Sequence, residues 1–555
     1  MKKWVKNNQP IFVLAIVGIA CFFVYSFLAF SAPKEIFNSP DETANYVFSC
    51  NYSNGSMGIA EPDNLKVNGV IIPRSATSNA NGDIVPGYFL GMPIILGVIA
   101  DLFGCYIIPF IIPIVSAITP IFLYLGLRKI FEKEVAMLSA LLLFFHPIFI
   151  YYTAKSLMPN VIFVDLLIIS LAILLNIKYK KGIKNYFKPR VLKTYAIAGL
   201  LLGLALSIRP SEIYWVALLY FALLLFNIKK ANWAGITIGI IFVVVAFLPT
   251  LHLNKELYGG YFQLGYNTRL LSVDLNDQVA NGNIFTILSS FFSVSAIFPF
   301  GIKLVQSITV FINYFWRFLA WFNIFLIPGI ATFFIYFYKD KKHYTKKFVY
   351  LLITLAVSAY LIIYYGGYVF YDHFDASKLT IGTSYLRYWL PIFVLLLPFM
   401  SYSLFAVWKV FEKVRINIKA SSTILFLLVL SLFTFNLVFV KTDESLFAVK
   451  QNLEKYNQTR NIVLEKTEDH AIIITDRSDK IFFPKRKVIV FLENYAIFPF
   501  VANLIDSRPV YYYSMLAPDD MEFINRTKIN QNLKFELNTQ IDNFYLYKIS
   551  LDLNL

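Results

Sequence analysis

Two adjacent carboxylates follow the first apolar run of the chain, in the segment Ser39-Pro40-Asp41-Glu42. A carboxylate within hydrogen-bond reach of a hydroxyl or amine can take its proton and act as a general base. Ionisable groups at the edge of a membrane-spanning run are functional candidates, which favours this role. The pair is also typical of an ordinary first helical turn, which Pro40 would begin and whose dipole favours Asp and Glu. The residues alone leave both interpretations open.

The elements that must position this pair are strongly apolar. Of 555 residues, 58% are hydrophobic and 15% are charged, whereas about a quarter of a soluble domain is charged. Apolar runs of about 18 to 24 residues match helical spans, and the short alternating segments of an outer-membrane barrel are missing. The net charge of +16 comes largely from short loops that set orientation, so nucleic acid is not an expected partner. We predict an all-α polytopic membrane bundle.

Eleven spans are predicted from these runs. They lie at about 11–30, 106–127, 135–151, 159–177, 194–208, 212–227, 234–251, 316–338, 348–365, 388–408 and 423–440. The first run is too long for an ordinary signal peptide, so we expect a retained span. Alternate loops are short and basic, which places them and the N-terminus in the cytoplasm. Residues 284–315 are apolar but interrupted by Pro299 and Gly301; we reject one full span there and leave open an added pair or interfacial helices.

The spans define a predicted bundle domain, residues 1–440, followed by a tail, residues 441–555. Strand-like runs at 471–475 and 487–491 indicate a small extracytoplasmic α/β domain. The first outer loop, 31–105, is longer than a connection requires, which indicates function or structure of its own. Among the three cysteines, a Cys50–Cys105 bridge stays open, although three free thiols are the expected state.

The acidic motif and its surroundings resemble the GT-C superfamily. Ser39-Pro40-Asp41-Glu42 stands just after the first span, and the long loop closes with Pro86-Gly87-Tyr88-Phe89-Leu90-Gly91. This superfamily comprises membrane glycosyltransferases that use polyprenyl-phosphate sugars, including protein O-mannosyltransferases and the aminoarabinose transferase of lipid A. The resemblance implies that Asp41, with Glu42 beside it, is the catalytic base or positions the acceptor. The family often has a histidine shortly after the pair, where this chain has Asn45.

The resemblance also implies a polyprenyl-phosphate donor, whose departing phosphate needs nearby cations. We predict that Arg74, Arg209 and Arg387 bind this phosphate, and that Tyr388 and His373 contact the sugar or the lipid. Arg209-Pro210 and the segment from Arg387 to Pro391 are family-like. The alternatives are a solvated loop arginine at 74, a snorkelling span-end arginine at 209, and an interfacial aromatic belt with one cation at 387.

A bound divalent metal is not supported by the second outer turn. Many relatives have an acidic residue after the Met-Pro pair of this turn, whereas here Asn160 follows Met158-Pro159, and hard cations need several oxygen ligands. No cofactor is therefore assigned with certainty. We predict that Asp165 pairs with Lys155 inside the bundle.

The predicted function is transfer of a sugar from a polyprenyl-phosphate donor to a lipid, protein or polysaccharide acceptor at the outer face, with inversion. A transporter or flippase of lipid-linked sugars and a non-catalytic cell-envelope assembly protein are the alternatives. Transporters tend to have internal symmetry and broken helices in both halves, and the sequence has no such symmetry. The loop 475–486 either is a solvated charged surface or folds over the first outer loop and contacts the acceptor.

Overall fold

The computed structural model describes most of the chain and divides it into two compact units. The described residues are 2–177, 187–227, 231–265, 293–339, 343–372, 378–413, 418–529 and 532–552. The first unit, here the bundle unit, comprises Met1–Phe30, Pro109–Leu248 and Asp277–Ala448; the second, here the loop-tail unit, comprises Ser31–Ile108, Pro249–Asn276 and Val449–Leu555. The loop-tail unit therefore joins the predicted first outer loop to the predicted tail.

Every one of the eleven predicted spans is wholly or mainly helical. The helices are Lys2–Tyr25, Ile108–Leu127, Lys133–Phe144 followed by Pro147–Ala154, Pro159–Leu175, Pro189–Ile208, Ile213–Asn227, Trp233–Tyr258, Ala320–Asn323 followed by Leu326–Lys339, Tyr344–Gly366, Leu390–Lys413, and Lys419–Phe435 continued by the π-helix Asn436–Val440. Within the described ranges, seven helices are long and apolar enough to cross a membrane, and an eighth is bent by 45° between Phe144 and Pro147. The others are shorter apolar helices.

One end of the bundle unit gathers charged groups from three of the predicted basic loops. Lys347, fully buried, pairs with Glu132 at 2.8 Å, and Lys419 lies 3.9 Å from Glu134. These loops were all predicted to lie on the cytoplasmic side, and their mutual contacts fit one common side. Parts of the predicted basic loops, at 178–186, 228–230, 340–342 and 414–417, fall outside the described residues.

The opposite end of the bundle unit joins three segments that were predicted to lie outside. Tyr152 Oη donates to the carbonyl of Thr383 at 2.6 Å, and the Gly382 N–H donates to Glu444 Oε2 at 3.1 Å. The helix Tyr344–Gly366 runs from the basic end to this end, because the carbonyl of Tyr368, two residues after the helix, accepts a hydrogen bond of 2.6 Å from Tyr385, two residues after Thr383. Lys347 and Tyr365 are about 27 Å apart along the helix, at about 1.5 Å per residue.

The described part of the interrupted apolar segment before the eighth predicted span contains helices, and the rejection of one full span there stays a prediction. These helices are Val294–Ile297 and Leu304–Phe311, of four and eight residues, and the second continues directly into the π-helix Ile312–Phe318. Gly366 lets the second of these helices approach closely, because a Cβ at 366 would lie 2.6 Å from Ser307 Cα. Residues 284–292 lie outside the described part of the chain.

The first outer loop has a fold of its own inside the loop-tail unit. It contains the helices Pro40–Ser53 and Gly91–Phe103 and the antiparallel strands β1, Ala76–Ser78, and β2, Ile84–Pro86. The Cα atoms of Cys50 and Cys105 are 5.7 Å apart and their sulfurs form a disulfide. The expectation of three free thiols is therefore wrong, and Cys21 alone is free.

The tail is the α/β domain that its sequence predicts. Helix Leu446–Lys466 leads into a five-stranded sheet of order β4-β3-β5-β7-β6. The strands are β3 Ile472–Thr475, β4 Lys487–Val490, β5 Val510–Ser514, β6 Leu533–Ile541 and β7 Phe544–Leu551, with short helices Asp479–Phe482, Phe498–Ile505 and Pro518–Ile524. Strands β4 and β5 both run parallel to β3.

The tail sheet and the first outer loop share a hydrophobic core. Alternate residues of a strand point to opposite faces, and Ile473 packs in one cluster with Ala44 and Phe48 of the Pro40–Ser53 helix. Ile472 and Ile474 face a second cluster that contains Ile71 of the same loop. The first outer loop thus covers apolar surface that the tail domain would otherwise expose.

Candidate functional site

A buried ion pair forms where the helix Pro189–Ile208 ends in the bundle unit. Arg209 Nε and Nη2 donate to Glu212 Oε1 at 2.9 and 2.7 Å. The spacing explains the pair, because Pro210 begins a 3-10 turn that brings the residue three positions later back over the arginine. Trp215 Nε1 donates to the second oxygen of Glu212 at 2.5 Å. Both charged side chains are more than nine-tenths buried, so each depends on the other for compensation.

Aromatic rings from two other elements complete this cluster. Arg209 Nη2 donates to Tyr365 Oη at 2.7 Å, and the Tyr365 hydroxyl donates to Glu212. The ring of Tyr365 stacks on that of Tyr388, with centroids 4.3 Å apart and an angle of 7° between the planes. The guanidinium of Arg209 lies 4.9 Å from the Tyr388 ring centroid.

Arg387 meets the same tyrosine. Its guanidinium carbon lies 5.1 Å from the Tyr388 ring centroid. Nη2 donates to Ser384 Oγ at 3.0 Å, and Ser384 Oγ donates to Asp372 Oδ1 at 2.8 Å. The structure therefore brings together three of the predicted site residues: two guanidinium groups and one phenol ring. Fixed guanidinium groups beside an aromatic wall can bind a phosphate and stack against a sugar or prenyl group.

The predicted acidic pair lies at the first turn of the helix Pro40–Ser53 in the loop-tail unit, and its two members have different surroundings. Glu42 is buried and caps the helix: the Ser39 N–H donates to Glu42 Oε2 at 3.0 Å, and the Glu42 N–H donates to Ser39 Oγ at 3.2 Å. Asp41 is partly exposed and accepts a hydrogen bond of 2.6 Å from Ser75 Oγ. A catalytic role stays a prediction for both residues.

Arg74 is engaged by the tail. Its backbone N–H and its Nε donate to the two carboxylate oxygens of Asp479, each at 2.8 Å, and Nη2 lies 2.6 Å from Oδ1. Nη2 also donates to the carbonyl of Arg477 at 2.5 Å. The loop 475–486 thus folds over the first outer loop, as one of its two interpretations predicts; acceptor contact remains a prediction, as does phosphate binding by Arg74.

Two further predictions concern residues away from these clusters. His373 lies outside the described residues. The predicted Asp165–Lys155 pair is wrong: Asp165 is fully buried and accepts a hydrogen bond of 2.5 Å from Ser116 Oγ, whereas Lys155 Nζ lies 5.7 Å from the Tyr151 ring centroid. A serine hydroxyl binds one oxygen of the buried carboxyl group here, where the prediction had placed a cation. Over the described ranges, no three His, Cys, Asp or Glu side chains are grouped to hold a metal ion.

The sequence interpretation missed four residues. Glu212 and Tyr365 complete the cluster around Arg209. Ser75 and Asp479 complete the contacts of Asp41 and Arg74. Glu212 had a signal, since its spacing from Arg209 places opposite charges on one turn. No such sequence signal marks Tyr365, Ser75 or Asp479. Tyr365 is one of several tyrosines at a span end, and the other two residues contact partners far away in the chain. Such contacts depend on the tertiary fold.

Two of three comparisons relate this chain to known proteins. A family model described as dolichyl-phosphate-mannose-protein mannosyltransferase matches residues 90–252. A sequence search of curated proteins finds no significant match.

Two solved structures resemble this chain over more than nine-tenths of its length. The archaeal oligosaccharyltransferase AglB from Archaeoglobus fulgidus, in complex with an inhibitory peptide and a dolichol-phosphate, has a TM-score of 0.57 at 12% identity over 92% of this chain and 70% of that one. ArnT from Cupriavidus metallidurans, bound to undecaprenyl phosphate, has a TM-score of 0.54 at 11% identity over 98% of both chains. The predicted resemblance to GT-C membrane glycosyltransferases is confirmed, as is the fold class, a multi-pass helical bundle with a small C-terminal sheet domain.

Proposed function

We propose that this protein is a membrane glycosyltransferase that moves a sugar from a polyprenyl-phosphate donor to an acceptor at the outer face of the cell membrane. The family model and the two similar structures support this proposal, because their names and bound molecules include dolichol phosphate, undecaprenyl phosphate and a peptide. In this proposal the N-terminus is cytoplasmic and the tail domain is extracytoplasmic. The sugar is a hexose or pentose, and the acceptor is a lipid, a protein or a polysaccharide.

The observation that carries the proposal is the convergence of Arg209 and Arg387 on Tyr388. Departure of the polyprenyl phosphate leaves negative charge on its phosphate oxygens. Guanidinium groups are suited to this charge, since they stay protonated and can donate two parallel hydrogen bonds. Arg209 is held in place by Glu212 and Tyr365 before any donor arrives, so little reorganisation is needed when the charge develops.

Asp41 is the proposed general base. It takes the proton of the acceptor hydroxyl or amine, whose oxygen or nitrogen attacks the anomeric carbon of the sugar. The bond between that carbon and the phosphate oxygen breaks on the opposite side, and the electron pair leaves with the polyprenyl phosphate. A single displacement of this kind inverts the anomeric configuration. Glu42 fixes the first turn of the helix that carries Asp41.

The test uses purified full-length protein in lipid nanodiscs with radiolabelled polyprenyl-phosphate hexose or pentose and three acceptor classes: lipid, peptide and polysaccharide. Wild-type protein should transfer label to one class. Asp41→Asn should lose at least about 100-fold in kcat, a typical contribution of a general base, while binding the donor normally. Asp83→Asn is the matched control, because Asp83 lies in the same loop and contacts Asn79.

Three results would contradict the proposal or a part of it. Absence of transfer from every lipid-linked sugar, together with movement of the donor between leaflets, would identify a flippase. Donor binding without either activity would favour a non-catalytic envelope protein. Equal activity of the Asp41→Asn and wild-type proteins would remove Asp41 from the reaction.

A further inference from the structure

The tail contacts the segment that holds Asp41. Asp479 is fully buried, whereas the side chain of Arg74 is 26% exposed. One oxygen of Asp479 accepts from the backbone N–H of Arg74 and the other from its side chain. Because the backbone of residue 74 is bound as well as its side chain, Asp479 restrains the main chain immediately before Ser75.

Ser75 has a strained backbone that needs such restraint. Its φ is +62°, in the left-handed region that residues other than glycine seldom adopt without support from surrounding contacts. On the other side, the carbonyl of Ser75 accepts from the Gly87 N–H at 3.0 Å. With the Arg74 N–H and the Ser75 carbonyl both bound, the hydroxyl of Ser75 donates to Asp41 Oδ1 at 2.6 Å.

The tail helix Asp479–Phe482 makes a second contact, with the segment just before Asp41 in the chain. Lys480 Nζ donates to the carbonyl of Asn38, the residue before the Ser39 cap of the helix Pro40–Ser53. Its ammonium group also lies 4.9 Å from the ring centroid of Tyr456. Adjacent tail residues therefore bind the chain just before Asp41 and the strained turn whose serine donates to Asp41.

We propose that Asp479 is a positioning residue for Asp41, acting through Arg74 and Ser75, with Lys480 fixing the entry to the Asp41 helix. This inference rests on the proposed function for its catalytic meaning. The tail domain then belongs to the catalytic machinery, because it sets the orientation of the base. Removal of the restraint lowers kcat by about 10- to 100-fold, since a displacement of about 1 Å can cost 100-fold. It leaves the KM for the donor unchanged within about twofold.

The experiment compares Asp479→Asn and Ser75→Ala with Arg508→Gln. Arg508 is the matched control: it pairs with Glu61 at 3.0 Å and with Asp63 at 2.7 Å, so it also ties the tail to the first outer loop but does not contact Asp41 or Ser75. Each variant is made in the wild-type and Asp41→Asn backgrounds. Ser75→Ala removes only a hydroxyl and serves if Asp479→Asn folds poorly; Asp479→Glu should recover part of the lost kcat.

If Asp479 acts through Asp41, Asp479→Asn and Ser75→Ala lower kcat in the wild-type background and cause no further loss in the Asp41→Asn background. Arg508→Gln has the same small effect on kcat in both backgrounds. The inference is overturned if Asp479→Asn lowers kcat no more than Arg508→Gln, or if its full loss persists without the Asp41 carboxylate.

A hydrogen-exchange measurement separates failure of this inference from failure of the proposed function. Asp479→Asn should speed amide exchange in residues 36–45 and 72–78 more than Arg508→Gln does. Equal exchange in the two variants would overturn the positioning role. If the wild-type protein transfers no sugar, the proposed function fails, and the exchange result alone decides whether Asp479 restrains this segment.

Discussion

Two guanidinium groups lie about 5 Å from the ring centroid of Tyr388. Like charges in a partly desolvated site repel, and two features of this site oppose the repulsion. The carboxylate of Glu212 neutralises Arg209 directly, and the negative face of an aromatic ring attracts a cation. An arriving phosphate adds a further counter-charge, so donor binding should relieve the remaining repulsion.

Arginine at these positions should not be replaceable by lysine. Lysine keeps the charge but loses the planar fork that stacks on an aromatic ring and binds a phosphate through two hydrogen bonds. We expect Arg209→Lys and Arg387→Lys each to raise the Kd for the polyprenyl-phosphate donor by about tenfold, or about 1.4 kcal/mol. Binding to nanodisc-embedded protein would measure this. Arg190→Lys, at an exposed arginine, is the control, and an equal change there would contradict the assignment.

The sequence predicts which residue types occur at this site but not their partners. Arg209, Arg387 and Tyr388 stand at predicted span ends, where an arginine beside an aromatic residue is chemically informative. Tyr365 lies 156 positions after Arg209, and only the packing of the helices brings them together. The same limit applies to Asp165, whose partner is a serine on a neighbouring helix.

At the scale of elements, the helix that ends at Arg209 packs closely on the helix Trp233–Tyr258. A Cβ at Gly199 would lie 2.1 Å from the carbonyl oxygen of Gly239, and one at Gly203 would lie 2.7 Å from that of Val243. Small residues four positions apart let helices approach each other inside a membrane, where packing and not water exclusion drives association. The two glycines therefore fix the position of the helix that carries Arg209.

Gly199→Ala should separate these helices, because the added methyl group meets backbone and cannot be accommodated by a side-chain rotation. We expect a loss of about 1 to 3 kcal/mol in stability, measured as a lower Tm in detergent. Donor binding should also weaken, because Arg209 would be displaced. Gly239→Ala is a matched control in the facing helix, since its nearest contact would be an ordinary 3.5 Å from the Tyr195 carbonyl. A smaller Tm loss for Gly199→Ala than for Gly239→Ala would contradict this account.

A second element-scale feature is the charged cluster that links the first outer loop to strand β5. Glu61 and Asp63 bind Arg508, which precedes that strand, and Lys66 donates to Asp63 at 2.8 Å. The hydrogen bond from Lys66 lowers the pKa of Asp63 below its ordinary 3.8, with Arg508 acting in the same direction and partial burial opposing both.

The lowered pKa of Asp63 predicts acid sensitivity of this link. A carboxyl group whose pKa is lower in the folded state contributes stability above its unfolded pKa and loses that contribution as the pH falls. The contribution should therefore be present above pH 3.8 and disappear below it. The Tm of Asp63→Asn should fall less than that of the wild-type protein between about pH 5 and 3. Equal decreases in the Tm of the two proteins would show that Asp63 does not contribute to this acid sensitivity.

Periodicity and hydropathy predict the elements well because they are local properties. The eleven apolar runs are helical, and the runs around Ile473 and Ile489 form adjacent parallel strands. What the sequence does not predict is the pairing between distant elements. The Cys50–Cys105 disulfide requires the first outer loop to be folded. The Arg74–Asp479 pair also requires the tail to pack on that loop.

At the scale of the whole molecule, charge distribution sets the predicted orientation. The described basic loops that meet at one end of the bundle unit contain Lys347 and Lys419, and the positive-inside rule assigns such an end to the cytoplasm. The predicted odd number of spans would then place the tail outside. The prediction can be tested with single cysteines, because Cys21 is buried and the other two native cysteines are joined.

Glu465 and Tyr344 are suitable sites for such cysteines. Glu465 is exposed near the end of the helix Leu446–Lys466, and Tyr344, 42% exposed, begins a helix at the basic end. In a Cys21→Ser background, a membrane-impermeant maleimide added to intact cells should modify Glu465→Cys at once and Tyr344→Cys only after permeabilisation. The background without an added cysteine is the control. Modification of Tyr344→Cys in intact cells would contradict the cytoplasmic assignment of the basic end, because a polar reagent cannot cross the hydrocarbon layer to reach it.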